Sequence, residues 1–358
     1  MRFYNLSMHI SVISDIKDIF SKLDHTVDDQ TLSDHSGIMG KDKADIGIDF
    51  NAELKSAMED KIWDKFYKLK PGLKKYDAFI VDYPPAFVLL YKSYKKPIIL
   101  NVAIRYEYPW SNDAKRWKEF NKHLRGLYKD GLLIPVANNA YDRDYFEGFT
   151  GIPCKYIPSL CDYPKVTHSP HPIKTNIIHW CRGRFLDIEK RYLSVRSWKK
   201  INRGSYSWGA LSRLDAIIHF PYNCSIMSLC EQYTMGVPIL VPSVDLLECL
   251  YTSDKDVMRE YSWNRLYRYP SYSAIKFNGD IDPNNYRSKI SRRHWWLKSD
   301  FYNKKWFPDI AEFDTMHELK DLEKKRFRNI SKSMAEKKDM RDREIILMWQ
   351  EVLTGVKK

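Results

Sequence analysis

Metal-binding and membrane signatures are missing from this 358-residue chain. No Cys-x-x-Cys pair occurs. None of the six cysteines (Cys154, Cys161, Cys181, Cys224, Cys230, Cys249) sits with histidines at zinc-ligand spacing. Several lie inside apolar runs, as small buried residues do, and a reducing compartment is expected. No stretch approaches the ~20 apolar residues that cross a bilayer. A lone Arg2 near the start is followed by the acidic Asp15 too soon for a signal peptide to be expected. Together these set the expectation of a soluble, cytoplasmic protein. The G-x-x-x-x-G-K-[ST] and G-x-G-x-x-G loops are also absent, which removes kinase and dinucleotide readings. There is no internal repeat and no low-complexity tract.

What is present is bulk and positive charge. Hydrophobic residues make up 44% and aromatics 14%, with 11 Trp and 24 Tyr, so the chain can bury a core and is not disordered. Its length suits two domains. The net charge of +13 points to an anionic partner. That charge is uneven. Residues 1–60 hold six Lys/Arg against twelve Asp/Glu, while the excess positive charge runs from Arg182 to Arg213 and from Arg287 to Lys305.

Apolar runs alternate with helical patterns through the first 160 residues. Met8–Ile13 reads as a short strand, with Ser14 and Asp15 capping a helix that carries Ile16, Ile19, Phe20 and Leu23. Further strands are expected at 77–82, 98–104, 132–137 and 155–157, with helices at 87–94, 113–128 and 141–149. Strand–helix alternation with continuous apolar strands marks a parallel sheet wrapped by helices. A proline-rich connector at 158–172 sets the domain boundary. A second series follows: strand 176–181, helix 186–198, strand 214–220, helix 225–235 and strand 237–241, with Gly236 at a helix C-cap. The charged tail is helical. Its stripe of Ile345, Ile346, Met348, Trp349, Val352 and Leu353 implies docking on a domain.

The most informative stretch is Leu214–Ser243, LDAIIHFPYNCSIMSLCEQYTMGVPILVPS. A helix that starts just past a parallel strand's carboxyl end offers free N–H groups and a dipole to phosphate. Ser225 and Ser228 lie near that start, and their hydroxyls can cap the helix or bind a phosphate oxygen. Glu231, one turn in, can accept both hydroxyls of a ribose.

The order Ser, Glu, five positions to Gly, x, Pro, strand resembles the donor segment of GT-B glycosyltransferases, with Glu231, Gly236 and Pro238 at the family's spacing. The resemblance implies a definite fold: α/β, GT-B, two Rossmann-like domains facing each other across a cleft, with a C-terminal helix docking back on a domain. Residues 1–160 would form the acceptor domain, 173–314 the donor-binding domain and 315–358 the helical tail. It implies transfer of a hexose or pentose from a nucleotide-sugar donor to a glycan or other hydroxyl acceptor, with no metal and no cofactor besides the nucleotide sugar as co-substrate. Tyr222, Asn223, Ser225, Met227, Ser228 and Glu231 would contact the donor. Arg182 and Arg184, after NIIHWC, would hold its diphosphate. Asn223 stands where retaining members carry a second Glu, so the stereochemistry is not carried over. The segments SMHISVISDIKDIF, LSDHSGIMGK and FIVDYPPAFVLLY also resemble GT-B proteins of large DNA viruses. A viral enzyme of glycan biosynthesis, working in the host cytoplasm, is the corresponding expectation.

For proton transfer from the acceptor, His9 is one candidate and the loop pair Asp34 and His35 a second. Asp82, Arg105 and Glu107 also fall at strand ends. A buried strand histidine, a solvated turn and a local ion pair are the plain structural alternatives. Three Asp-x-Asp pairs (142/144, 254/256, 280/282) follow no clean strand and read as chance. Two rival functions remain: a nucleotide-sugar epimerase on the same fold, and a basic nucleic-acid-binding protein. Arg287–Phe307, with Arg292, Arg293, Trp295, Trp296 and Trp306, could stack bases or give peripheral membrane contact. Aromatic packing within the domain is the alternative, and no nucleic-acid partner is expected.

Overall fold

The computed structural model describes residues 1–40, 42–49, 53–171, 177–180, 198–200, 207–253, 257–258, 281–320 and 324–356. The chain forms two compact units. The first contains Met1–Ser159 and the C-terminal segment from Glu344. The second contains the described residues from Leu160 to 258 and from Pro283 to Arg343.

Among its described residues the first unit has six strands: β1 (Arg2–Ser7), β2 (Thr26–Thr31), β3 (Ala78–Val81), β4 (Ile98–Val102), β5 (Leu133–Ala137) and β6 (Lys155–Tyr156). They lie in the order β2-β1-β3-β4-β5-β6, and every pairing is parallel. β3 and β4 are buried along their whole length, which explains their uninterrupted apolar runs. Helices α1 (Ile10–Lys22), α2 (Ile62–Leu69), α3 (Ala114–Lys129) and α4 (Ala140–Thr150) connect them. Asp113 caps α3 by accepting from the Arg116 N–H, and Asn139 caps α4 by accepting from the Asp142 N–H. The segment Pro85–Tyr94 is wound as a 3-10 helix rather than an α-helix.

The start of the chain differs from the sequence reading. Met8–Ile13 is not a strand: β1 precedes it, and Ile10 already begins α1. Val12, Ile13, Ile16, Ile19 and Phe20 form the buried stripe of α1, with Phe3 meeting Phe20 edge-on at 4.9 Å. Ser14 and Asp15 are buried inside the helix instead of capping it, and the Ser14 hydroxyl donates to Ile10 O at 2.9 Å. β1 carries Asn5 and Ser7, so its polar composition hides it. Its place between β2 and β3 buries both. β2, TVDDQT, is an edge strand with exposed positions, so no apolar run announces it.

The second unit has β7 (Ile177–Trp180), β8 (Trp198–Lys200), β9 (Ala216–His219), β10 (Ile239–Pro242) and β11 (Ala311–Phe313), all parallel in the order β11-β10-β9-β7-β8. Its helices are α5 (Trp208–Leu211), α6 (Met227–Thr234), α7 (Val244–Ser253), α8 (Lys289–Trp296) and the first part of α9 (Lys324–Val356). Most of the helix expected over 186–198 lies outside the described residues, and Trp198 itself begins β8. Gly236 follows α6 with φ of 82°, the left-handed conformation that a glycine allows after a helix end.

The aromatic stretch near 295 packs inward. Trp295 and Trp296 are fully buried and Trp306 nearly so. Arg292 is buried too, donating through Nε to Glu248 Oε2 at 3.0 Å. These rings therefore offer neither bases nor headgroups a stacking surface, contrary to one reading of the sequence, because the second unit spends them on its core. The end of α9 belongs to the first unit. Ile345, Trp349, Val352 and Leu353 are buried there, and Trp349 meets Phe20 at 5.5 Å. No helix among the described residues is long and apolar enough to cross a membrane.

Candidate functional site at the carboxyl edges of the two sheets

Open parallel sheets bind ligands outside the carboxyl ends of their strands, where the chain order reverses direction. In the second unit the reversal falls between β7 and β9, since β8 lies on one side of β7 and β9 on the other. The loop 220–226 leaves β9 at that point and enters α6. Its residues Tyr222, Asn223 and Ser225 are half-buried, as is Ser228 in the first turn of the helix. Met227 is buried. Ile226 is the N-cap, and its side chain caps nothing. Of the two roles open to Ser225 and Ser228, capping is not the one taken, since the N-cap position of α6 has no side-chain cap bond. The Ser225 hydroxyl donates to Asp300 Oδ2 at 2.6 Å instead. Arg182 and Arg184 lie outside the described residues.

Glu231 is 4% exposed. Burying a carboxylate is costly unless donors meet it, and two do. The Tyr163 hydroxyl donates to Oε1, and Trp208 Nε1 donates to Oε2 at 3.3 Å. Tyr163 and Trp208 are themselves half-buried, with ring centroids 5.6 Å apart. The next residue, Gln232, turns the other way and bonds through Oε1 to His219 Nε2 at 2.5 Å. His219 ends β9 fully buried, and burial pushes its pKa down to about 4.

In the first unit the order reverses between β1 and β3. Past their carboxyl ends lie His9 and Asp82. His9 is the N-cap residue of α1, not part of a strand. Its N–H donates to Ser7 Oγ at 3.1 Å, and its ring stands edge-on to Tyr83 at 6.5 Å. Burial of the ring, with the nearby charge of His35, pushes its pKa down to about 4, although the residue as a whole is exposed. Asp34 and His35 follow the neighbouring strand β2 and are exposed. Asp34 does not hydrogen-bond His35: Lys43 Nζ holds it at 2.6 Å, which keeps its carboxyl below the usual range.

Asp82 is fully enclosed. Asn5 Nδ2 donates to its Oδ2 at 3.0 Å and the Tyr83 N–H to its Oδ1 at 3.1 Å. Burial outweighs these donors and raises its pKa to about 6. Arg105 and Glu107 form a buried ion pair at 2.8 Å, joined by the Tyr145 hydroxyl, which donates to Glu107 Oε1 at 3.1 Å. They belong to the interior rather than to an open pocket. Of the Asp-x-Asp pairs, Asp142 is buried in the first turn of α4 and Asp144 accepts from Arg143 Nε. Asp254, Asp256 and Asp280 lie outside the described residues.

The sequence reading missed Tyr163, Trp208 and Asp300. They lie 68 and 23 positions from Glu231 and 75 from Ser225. No local periodicity links partners at such separations.

No family model and no curated protein matches the chain. Among solved structures, the UDP-GlcNAc 2-epimerase from Neisseria meningitidis bound to UDP-GlcNAc is similar at 12% identity, over 83% of this chain and 99% of that one, with a TM-score of 0.45. CalG4, the calicheamicin glycosyltransferase, is similar at 10% identity over 99% of this chain and 98% of that one, with a TM-score of 0.41. The spinosyn rhamnosyltransferase SpnG complexed with spinosyn aglycone stands at 11% identity, 99% and 97%, and a TM-score of 0.39. The α/β class with parallel sheets stands on the strand order and register of this chain itself.

Proposed function

We propose that this chain is a glycosyltransferase that moves a sugar from a nucleoside-diphosphate sugar to a glycan or other hydroxyl acceptor. The observation that carries the reading is Glu231: a buried carboxylate one turn into the helix that follows β9, beside the point where strand order reverses. In this proposal Glu231 accepts the ribose hydroxyls, as it already accepts O–H and N–H donors from Tyr163 and Trp208. The uncapped first turn of α6 receives the diphosphate. Asn223, Ser225 and Ser228 lie along its path, and Arg182 and Arg184 are assigned to the same charge. The leaving diphosphate is then stabilised by dipole and guanidinium, without a metal.

The first unit supplies the acceptor side. His9 is the candidate base, because it stands just past a strand's carboxyl end in an exposed residue position, with its pKa lowered by burial of the ring toward the neutral, proton-accepting form. The likeness of the N-terminal segments to proteins of large DNA viruses, and work in a host cytoplasm, stay with this proposal.

The test is a thermal-shift screen across nucleoside diphosphates and nucleotide sugars, since a ligand that binds the folded state raises its melting temperature. It is followed by an assay for acceptor-dependent release of the diphosphate. A shift that Glu231→Ala abolishes, with turnover intact in EDTA, is the expected result. Interconversion of the nucleotide sugar with no acceptor would make the protein an epimerase. Turnover lost in EDTA and restored by manganese would remove the metal-free mechanism.

A further inference from the structure

Asp300 is 1% exposed, and its carboxyl has a single hydrogen bond among the described residues, the one from Ser225. Its Oδ1 has none. Ser225 sits one position before the N-cap of α6, in the loop that the donor-site reading places against the diphosphate. The Asp300 N–H also donates to Cys224 O at 3.2 Å, so the turn at 300–302 is tied to that loop twice.

An ionised carboxylate in such an enclosure needs several donors. One serine is too few, and burial raises the group's pKa to about 7. Arg341 of α9 is the charged group among the described residues whose field reaches Asp300, and it pulls the other way. The neighbouring titratable side chains are Cys224, Tyr302 and His219, whose ring lies against Phe301. Burial keeps Tyr302 and His219 in their neutral forms.

A serine hydroxyl has one proton to give. While Asp300 is ionised, that proton is committed to its carboxylate, and Ser225 can show a phosphoryl oxygen only lone pairs. With Asp300 protonated, the carboxyl O–H donates to Ser225 Oγ, and the serine proton is released toward the ligand. We propose that Asp300 is a positioning residue that takes up one proton from solvent when a nucleoside diphosphate occupies the head of α6, so that Ser225 donates to a phosphoryl oxygen. This rests on the donor-site reading above.

The experiment uses the tightest binder among uridine, guanosine, adenosine and thymidine diphosphates. Its Kd is measured from pH 6 to 9 for the wild type, Asp300→Asn and Ser225→Ala, and proton uptake is read by calorimetry in buffers of different ionisation enthalpy. The amide of Asp300→Asn donates to Ser225 at every pH. Relative to that variant, wild-type binding should weaken by about tenfold per pH unit above pH ~7. The wild type should take up close to one proton more than either variant at pH 8. Ser225→Ala, which leaves Asp300 in place, should lose the same slope, so a poorly folding Asp300 variant does not end the test. Wild-type and variant profiles that run parallel, with equal proton uptake, would show that Asp300 only anchors the loop. If none of the four diphosphates binds the wild type at any pH, the donor-site reading falls and takes this inference with it.

Discussion

Trp208 Nε1 donates to Glu231 Oε2 at 3.3 Å, while the Tyr163 hydroxyl holds the other oxygen of the same carboxylate. Glu231 is thus oriented in a buried place by donors on both oxygens. A hydrogen bond to a charged group contributes about 1.5–3 kcal/mol. Glu231→Gln should therefore weaken nucleoside diphosphate binding by roughly 10- to 150-fold. The sharper measurement compares a ribonucleotide with its 2′-deoxy analogue. The wild type should prefer the ribonucleotide and the variant should not; an equal preference in both proteins would remove the diol from the account.

The ion pair of Arg105 and Glu107 is sealed inside the first unit, with the Arg105 guanidinium also 4.4 Å from the centre of the Tyr145 ring. Removing one partner strands a charge in a low-dielectric interior. Glu107→Ala should cost about 3–5 kcal/mol in urea unfolding. Replacing both residues by apolar side chains of similar volume should recover most of that loss. A single variant that unfolds like the wild type would mean that water reaches the pair.

His219 sets an acid limit on stability. Its folded pKa, pushed down to about 4, lies below the ordinary value of 6.5. The neutral form is the one the fold accepts, so its contribution is complete above pH ~6.5 and is lost as pH falls toward 4. The melting temperature should decline across that window. His219→Gln, which keeps an amide donor for Gln232, should flatten the decline. Parallel melting curves against pH for the two proteins would contradict the assignment.

The last turns of α9 are part of the first unit's core. Trp349→Ala removes the ring that meets Phe20 and should cost about 3–5 kcal/mol. Leu347, two positions earlier and 58% exposed, should tolerate alanine within roughly 0.5 kcal/mol. Equal losses at the two positions, measured by urea unfolding, would show that the buried stripe is not what stabilises the helix.

Sequence alone determined the features that repeat over a few residues. β3 and β4 are buried from end to end, β5 at four of its five positions, and all three read as apolar runs; α3 and α9 carry their buried faces at helical spacing. The strand, loop and helix leading to Glu231 were legible for the same reason, since β9 is apolar and Gly236 closes α6. Contrast between buried and wet positions is written locally, so local pattern recovers it.

Tertiary structure alone decided what depends on distant partners. Only the sheet order shows that polar β1 is a central strand, because Asn5 finds Asp82 across 77 positions. The Trp rings at 295 and 296 turn inward to a core that their basic neighbours conceal in the sequence. Tyr163 at Glu231 and Asp300 at Ser225 follow the same rule. A buried polar group must be met by a donor or acceptor, and chain topology, not spacing, determines which residue meets it.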